Sequence, residues 1–320
     1  MYMFKYILKR LGLLVMTFAI IEIICFVLIK SLPIVINVPI GKDHELLEAA
    51  IIARGYKKPI PVQFFLYLKN IFTKGDFGIC VNLAEYRNYP VLDVFAKKLP
   101  PTILINVYST IFAVPIGIGL GIFAALKKNK WQDQVISTVV MLFISVPSFV
   151  YAFLVQYLFC YKLKMFPLMM NAGYNYANWD MFRSMIPAVI SLSFGSIAGY
   201  CRYTRAELTE VLTNDYMLLA RTKGLTKGQA TVRHALRNAM VPIFPSIVGE
   251  FVSVLSGSLI IEKIFAVPGV GGLYLASISA QDYDSFMFLS GFYILVGLLA
   301  SIIIDLSYGV IDPRIRMGAR

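Results

Sequence analysis

Six stretches of the chain stay apolar for about twenty residues each, and this pattern constrains the fold more than anything else in the sequence. They fall at about 11–32, 102–126, 134–161, 186–203, 240–261 and 287–311. A bilayer's hydrocarbon core is about 30 Å thick and an α-helix rises about 1.5 Å per residue, so about twenty apolar residues make one crossing. At that depth backbone N–H and C=O groups find no water, so each run is expected to be a helix. Pro147 interrupts the third run, which is tolerated where neighbours satisfy the freed carbonyl. Composition agrees: 58% of the 320 residues are hydrophobic and 15% are charged, against roughly 45–50% and about 25% in a soluble domain. Intrinsic disorder, which needs low hydrophobicity, is excluded. The expected fold is an all-α polytopic membrane protein with six transmembrane helices.

The net charge of +12 sits between the apolar runs, not on a polar face, so it calls for no nucleic-acid partner. Lys5, Lys9 and Arg10 precede the first run. A basic start and an apolar run also describe a secretory signal, but this run is too long and no small-residue cleavage site follows, so it reads as a retained anchor. The positive-inside rule then places both termini in the cytoplasm, together with 127–130, about 204–239, and Arg314, Arg316 and Arg320. The region 33–98 lies outside; loops beyond about 60 residues translocate largely regardless of charge. Its length and the helix-like stretch 61–72 point to a small folded cap. The chain thus divides into a tail and first anchor (1–32), an external region (33–98) and a core (99–320). Cys25, Cys80, Cys160 and Cys201, with His44 and His234, have neither metal-ligand nor disulfide spacing.

The segment from Thr213 to Pro242 carries clear helix punctuation. Asn214 or Asp215 can cap a first helix, and Gly224 can end it in the left-handed conformation. Thr226 and Gln229 have capping-box spacing and would open a second helix. Tyr216, Leu219, Ala220 and Lys223 would share one face of the first helix, and Arg233 and Arg237 one face of the second. Two short capped helices with apolar and basic faces suit docking onto another protein; a solvated loop, or one that binds anionic lipid headgroups, is the plainer alternative. Small residues at Gly117, Gly119 and Gly121, and at Gly195 and Gly199, would let helices approach closely.

In this order the strings of the chain resemble one family. Ala220-Arg-Thr-Lys-Gly224-Leu225, then Arg233-His-Ala-Leu-Arg-Asn-Ala239 and Pro242, look like the cytoplasmic coupling loop of ABC-importer permeases, closest to the oligopeptide/dipeptide branch that includes nickel permeases. The resemblance extends over Tyr6-Ile-Leu-Lys-Arg10, Pro59-Ile-Pro-Val-Gln63, Gly75-Asp-Phe-Gly78, Leu99-Pro-Pro-Thr102, Val146-Pro-Ser148, Glu262 to Gly271, and Asp312 to Arg316. It departs where the broader pattern has Glu-Ala-Ala, which here reads Leu218-Leu219-Ala220, and the Pro-Gly-Asp-Pro string common after the first span is absent.

The resemblance implies that two such subunits, usually non-identical, form a translocation path for oligopeptides or dipeptides, with nickel or another small solute as the alternative cargo. Two ATPase subunits would each receive a coupling helix, and an external binding protein would deliver solute. Within the loop, at about 213–239, it assigns ATPase coupling to Asp215, Ala220, Gly224, Leu225, Arg233 and Arg237. The setting would be a bacterial or archaeal cytoplasmic membrane. No G-x-x-x-x-G-K-[S/T], G-x-S-x-G or H-E-x-x-H string is present, so ATP and Mg are expected on partner subunits and no cofactor or catalytic residue on this chain. Charges at bilayer depth usually face the bundle interior or a wet cavity. Glu22, Glu250 and Asp305 are such charges; Glu250 is expected at the path, or else in an interhelical hydrogen bond. A self-sufficient ion-coupled transporter would use the three as a relay. The turn containing Pro268, Gly269 and Gly271 would be an external gate or docking turn, or else a plain re-entrant connection.

Overall fold

A computed structural model describes residues 2–33, 41–171, 173 and 175–311. The string from Asp312 to Arg316 and the basic tail with it lie outside the described residues. Helices α1 (Tyr2–Lys30), α2 (Lys42–Ala53) and α3 (Ile60–Lys74) lead to α4 (Val91–Leu126). Next come α5 (Trp131–Ser145), α6 (Ser148–Val155) with a π-helical extension Gln156–Lys162, and α7 (Trp179–Leu212). They are followed by α8 (Asp215–Thr222), α9 (Lys227–Ala230), a π-turn Thr231–Ala235 and α10 (Leu236–Ser253). The last three are α11 (Leu259–Ile264), α12 (Val270–Ser279) and α13 (Tyr283–Ile311). Among the described residues five segments are long and apolar enough to cross a membrane: Ile7–Lys30, Val91–Leu126, Trp179–Leu212, Lys227–Ser256 and Tyr283–Gly309. Trp131–Ser145 and Ser148–Lys162 pass the same test together, and counted as one broken span they make a sixth.

The second and fourth spans run longer than the sequence expectation, and the third and fifth differ in course. The third is not one straight crossing, since its halves meet at 103°. Pro147 disfavours helical backbone at the residue before it, so Val146 is extended (φ −87°, ψ 129°) and Pro147 opens α6 as its N-cap. The fifth starts earlier than residue 240 and stops at Ser256, not 261. There Gly257 takes φ 63°, ψ −177°, a conformation that glycine alone adopts without strain.

The chain divides into two compact units, Met1–Thr102 with Pro268–Leu299 and Ile103–Val267 with Ala300–Arg320. In the first, two aspartates tie the loop after α3 to the start of α13. Asp282 is fully buried, and its Oδ2 accepts the N–H groups of Val81 (2.6 Å), Asn82 (2.7 Å) and Leu83 (3.2 Å). Its Oδ1 accepts Ser285 N–H at 3.3 Å, capping α13. Hydrogen bonds to a charged group contribute about 1.5–3 kcal/mol each. Asp284 accepts Tyr56 Oη and Ile79 N–H (3.3 Å) and has Lys30 Nζ at 3.7 Å. That ammonium also sits 3.3 Å from the Tyr56 ring centroid. These bonds explain the Gly75-Asp-Phe-Gly78 string. Gly75 ends α3 in the left-handed conformation (φ 63°), Phe77 packs on Phe288, and Gly78 (φ 111°) lies flat against Asp284. Partial burial pushes the Asp76 carboxyl up, but Gly78 N–H (2.9 Å) and Arg54 (3.1 Å) outweigh it and hold the pKa below the usual range. This link is therefore complete at neutral pH and is lost only as pH falls through that depressed value. Burial pushes the Cys80 thiol up to about 11, so it is a protonated, packed group.

In the second unit α4 lies directly on α7. A Cβ at Gly117 would stand 2.8 Å from Ile197 O and Tyr200 Cβ, and one at Gly121 would stand 2.7 Å from Cys201 O and Thr204 Cβ. These two glycines, four apart, make the close crossing. Gly119 and Gly199 face open space, so the Gly195/Gly199 spacing makes none.

Gly78→Ala should lower the unfolding midpoint of the detergent-purified protein more than Gly75→Ala. The second change costs only the left-handed backbone, about 1 kcal/mol, whereas the first also drives a methyl group into Asp284. Equal losses would remove crowding as the cause.

Candidate functional site

The segment 213–239 folds as the punctuation requires, with one cap weaker than expected. Asn214 stands at the N-cap of α8 but its side chain makes no capping bond, and Asp215 lies exposed in the first turn. The α8 C-terminus is a complete Schellman closure. Gly224 is left-handed (φ 89°), its N–H bonds Arg221 O at 3.0 Å, and Leu225 N–H bonds Ala220 O at 3.3 Å. Two residues on, the capping box is present in both directions. Thr226 Oγ1 accepts Gln229 N–H (3.3 Å), and Gln229 Oε1 accepts Thr226 N–H (3.1 Å).

Packing then fixes which face is turned inward. Met217 and Ala220 are buried in a cluster with Ala125 of α4, Leu208 of α7 and Ala230, Ala235 and Ala239 of the following turns; Leu225 packs against it. Five alanines there let backbones approach closely. The shared face of Tyr216, Leu219, Ala220 and Lys223 is split, however. Ala220 is 7% exposed, whereas Leu219 is 55% and Leu218 65% exposed. Tyr216 stays at the rim and accepts a hydrogen bond from Asn238 Nδ2 (3.0 Å). The outer surface of the loop therefore presents Leu218, Leu219 and Val232 beside exposed Arg221, Lys223, Lys227, Arg233 and Arg237. Neither Arg233 nor Arg237 has a carboxylate partner among the described residues. Such a surface, apolar at its centre and cationic around it, suits a protein groove with acidic edges.

Glu250 is half-buried on α10 and accepts Ser196 Oγ of α7 at 2.7 Å. Tyr200 and Tyr203 of α7 donate to the carbonyls of Ser246 (3.1 Å) and Pro242 (3.2 Å), so a polar seam runs along this helix pair. Glu22 faces Gly291 of α13, whose added Cβ would meet Glu22 Oε1 at 2.6 Å. Pro268 is half-buried, and Gly269 and Gly271 are buried. Gly269 is the N-cap of α12 and has no side chain to close it, so Thr102 Oγ1 accepts Val270 N–H (2.9 Å) in its place. Two of the quoted strings, Leu99–Thr102 and Glu262–Gly271, thus meet in one hydrogen bond.

The sequence reading missed an ion pair near this loop. Asp133 of α5, 2% exposed, accepts Arg205 Nε (2.5 Å) and Nη2 (2.8 Å) from α7, and also Asn129 N–H (3.0 Å). The two residues are 72 apart, and no local string marks them as partners.

The family described as the inner membrane component of binding-protein-dependent transport systems matches residues 117–317, and its N-terminal counterpart matches residues 3–106. The chain belongs to this family. As a binding-protein-dependent transport permease it is a multi-pass membrane protein, and its relatives are alike over nearly their whole length. The dipeptide transport system permease DppB of Lactococcus lactis subsp. cremoris is 34% identical over 318 residues, covering 98% of this chain and 100% of that one. DppB of Bacillus subtilis is 33% identical over 322 residues, covering 98% and 99%. The glutathione transport system permease GsiC of Escherichia coli K12 is 31% identical over 318 residues, again covering 98% and 99%.

Thr226→Ala in this permease should cost about 1 kcal/mol locally. Hydrogen exchange should quicken at Gln229 and Ala230 and stay unchanged in α4 and α7. Unchanged exchange at Gln229 would mean the capping box does not hold the second helix.

Proposed function

We propose that this chain is one permease subunit of an ATP-driven importer for dipeptides or oligopeptides. One observation carries the reading: similarity to dipeptide and glutathione permeases runs end to end and includes the loop that presents an exposed apolar and cationic surface. In this reading the loop docks into an ATPase subunit. Asp215 sits in the first turn of its first helix, Ala220 seats that helix, and Gly224 and Leu225 close it. Arg233 and Arg237 meet acidic residues of the partner. ATP and Mg belong to two such ATPases, and this chain is non-catalytic. A second, non-identical permease completes the path, and an external binding protein delivers the peptide. The chain lies in a bacterial or archaeal cytoplasmic membrane with both termini inside. Glu250, held by Ser196, faces the path. Burial of Gly269 and Gly271 favours a packed gate element over a docking surface for that turn.

The test is reconstitution of the chain with its two ATPases, second permease and binding protein in proteoliposomes. Dipeptide uptake should require ATP and the binding protein. A Leu218→Asp/Leu219→Asp variant should lose ATPase co-purification while keeping its folded amount. Uptake driven by a proton gradient through the chain alone would contradict the reading and favour an ion relay.

A further inference from the structure

We infer that the Asp133–Arg205 pair is the joint that passes movement of the coupling loop to α5, and through it to the bent third span. The inference rests on the import reading above.

The loop is seated on α4 and α7 and not on α5. Its buried cluster takes Ala125 from α4 and Leu208 from α7, with Ile122, Val211 and Leu212 packed around it. Gly117 and Gly121 bring α4 into backbone contact with α7. The loop, α4 and α7 therefore move as one lever. Among the described residues helix α5 contributes nothing to that cluster, and it meets α7 through two kinds of contact. One is apolar: Val140 with Ala198 and Cys201, flanked by Ile136 and Phe143. Contacts of this kind resist separation but allow packed helices to slide and turn on one another. The other is the ion pair, set at the end of α5 and α7 nearest the loop.

The pair has the geometry of a fixed joint. The guanidinium approaches edge-on with two donors, Nε at 2.5 Å and Nη2 at 2.8 Å. A planar fork on a carboxylate sets angle as well as distance. The remaining acceptor capacity of Asp133 is taken by Asn129 N–H (3.0 Å) and Ser137 Oγ (3.4 Å). Asn129 lies in the turn between α4 and α5 and is itself left-handed (φ 64°). One carboxylate thus gathers α5, α7 and the α4–α5 turn. Beyond the break at Val146-Pro147, α6 packs through Ala152 and Val155 on Met185, Ala188 and Val189 of α7 and on Ile261 and Phe265 of α11. A turn of α5 fixed by the pair would bend the third span at this break. Arg205 and Asp133 are positioning residues: Asp133 is buried, and the pair acts through α5.

The test uses the whole importer in proteoliposomes and measures peptide taken up per ATP hydrolysed. For Arg205→Ala and Asp133→Asn, ATPase subunits should stay bound and hydrolysis should hold within about twofold, while uptake per ATP falls about tenfold. Arg205→Lys keeps the charge but not the fork, and should recover only part of the loss. Spin labels at positions 135 and 206 should keep one distance with and without ATP in the native complex and change it in Arg205→Ala. If hydrolysis and uptake fall together, or neither falls, the pair is only a support and the inference is overturned. The same follows if the 135–206 distance in the native complex changes with ATP, a measurement that needs no variant to fold. If the native complex shows no ATP-driven uptake at all, the import reading fails first, and visibly so.

Discussion

Inside a bilayer every backbone N–H and C=O must be satisfied by protein, so the places where a chain may leave a helix are few and each needs its own device. In this permease the devices can be named. At the bend in the third span Val146 still bonds Leu142 O at 3.0 Å while Pro147, which has no N–H to leave unpaired, opens the next helix. At the end of the fifth span Gly257 supplies a backbone conformation closed to other residues. After α11, Ala266 takes φ 49° and a Schellman closure follows, with Val267 N–H on Glu262 O at 2.8 Å. Gln156 reaches out of the third span with its side-chain amide and bonds the carbonyls of Leu168 and Ile264, each at 3.0 Å. Its amide is thus spent on carbonyls left over where the chain leaves a helix.

Small residues do the complementary work. Gly117 and Gly121 remove the side chains that would hold α4 off α7, and the alanines at 125, 220, 230, 235 and 239 let the loop close onto both helices. A close-packed body transmits displacement and does not absorb it. That property suits the role proposed for the loop, carrying motion from a soluble ATPase to a membrane path. The loop's outward side is built on the opposite rule: Leu218 and Leu219 stay exposed on a segment that already has a well-filled core, an apolar surface that the proposed docking would cover.

Much of this was legible in the sequence for physical reasons. The spans follow from run length alone, and the turns from Gly224, Thr226 and Gln229, because capping is a contract between residues a few positions apart. The string Gly75 to Gly78 stood out as well, though its partners Asp282 and Asp284 did not. Three things were not legible. Pro147 allows a bend, but its 103° comes from what α6 packs against. The inward face of α8 was not legible because periodicity gives a stripe and tertiary packing chooses its rotation: Met217 and Ala220 turn inward and Leu219 does not. The Asp133–Arg205 pair joins residues with no local signature, and only the crossing of α5 and α7 brings them together.

The central claim is that residues 213–239 form the surface on which the ATPase sits. Photo-cross-linking from single positions in the assembled importer tests it directly. A cross-linking residue at Leu218 or Val232 should capture the ATPase subunit, and one at Phe72, still more exposed on α3, should not. Capture of the external binding protein from Leu218, or of the ATPase from Phe72 alone, would contradict the account.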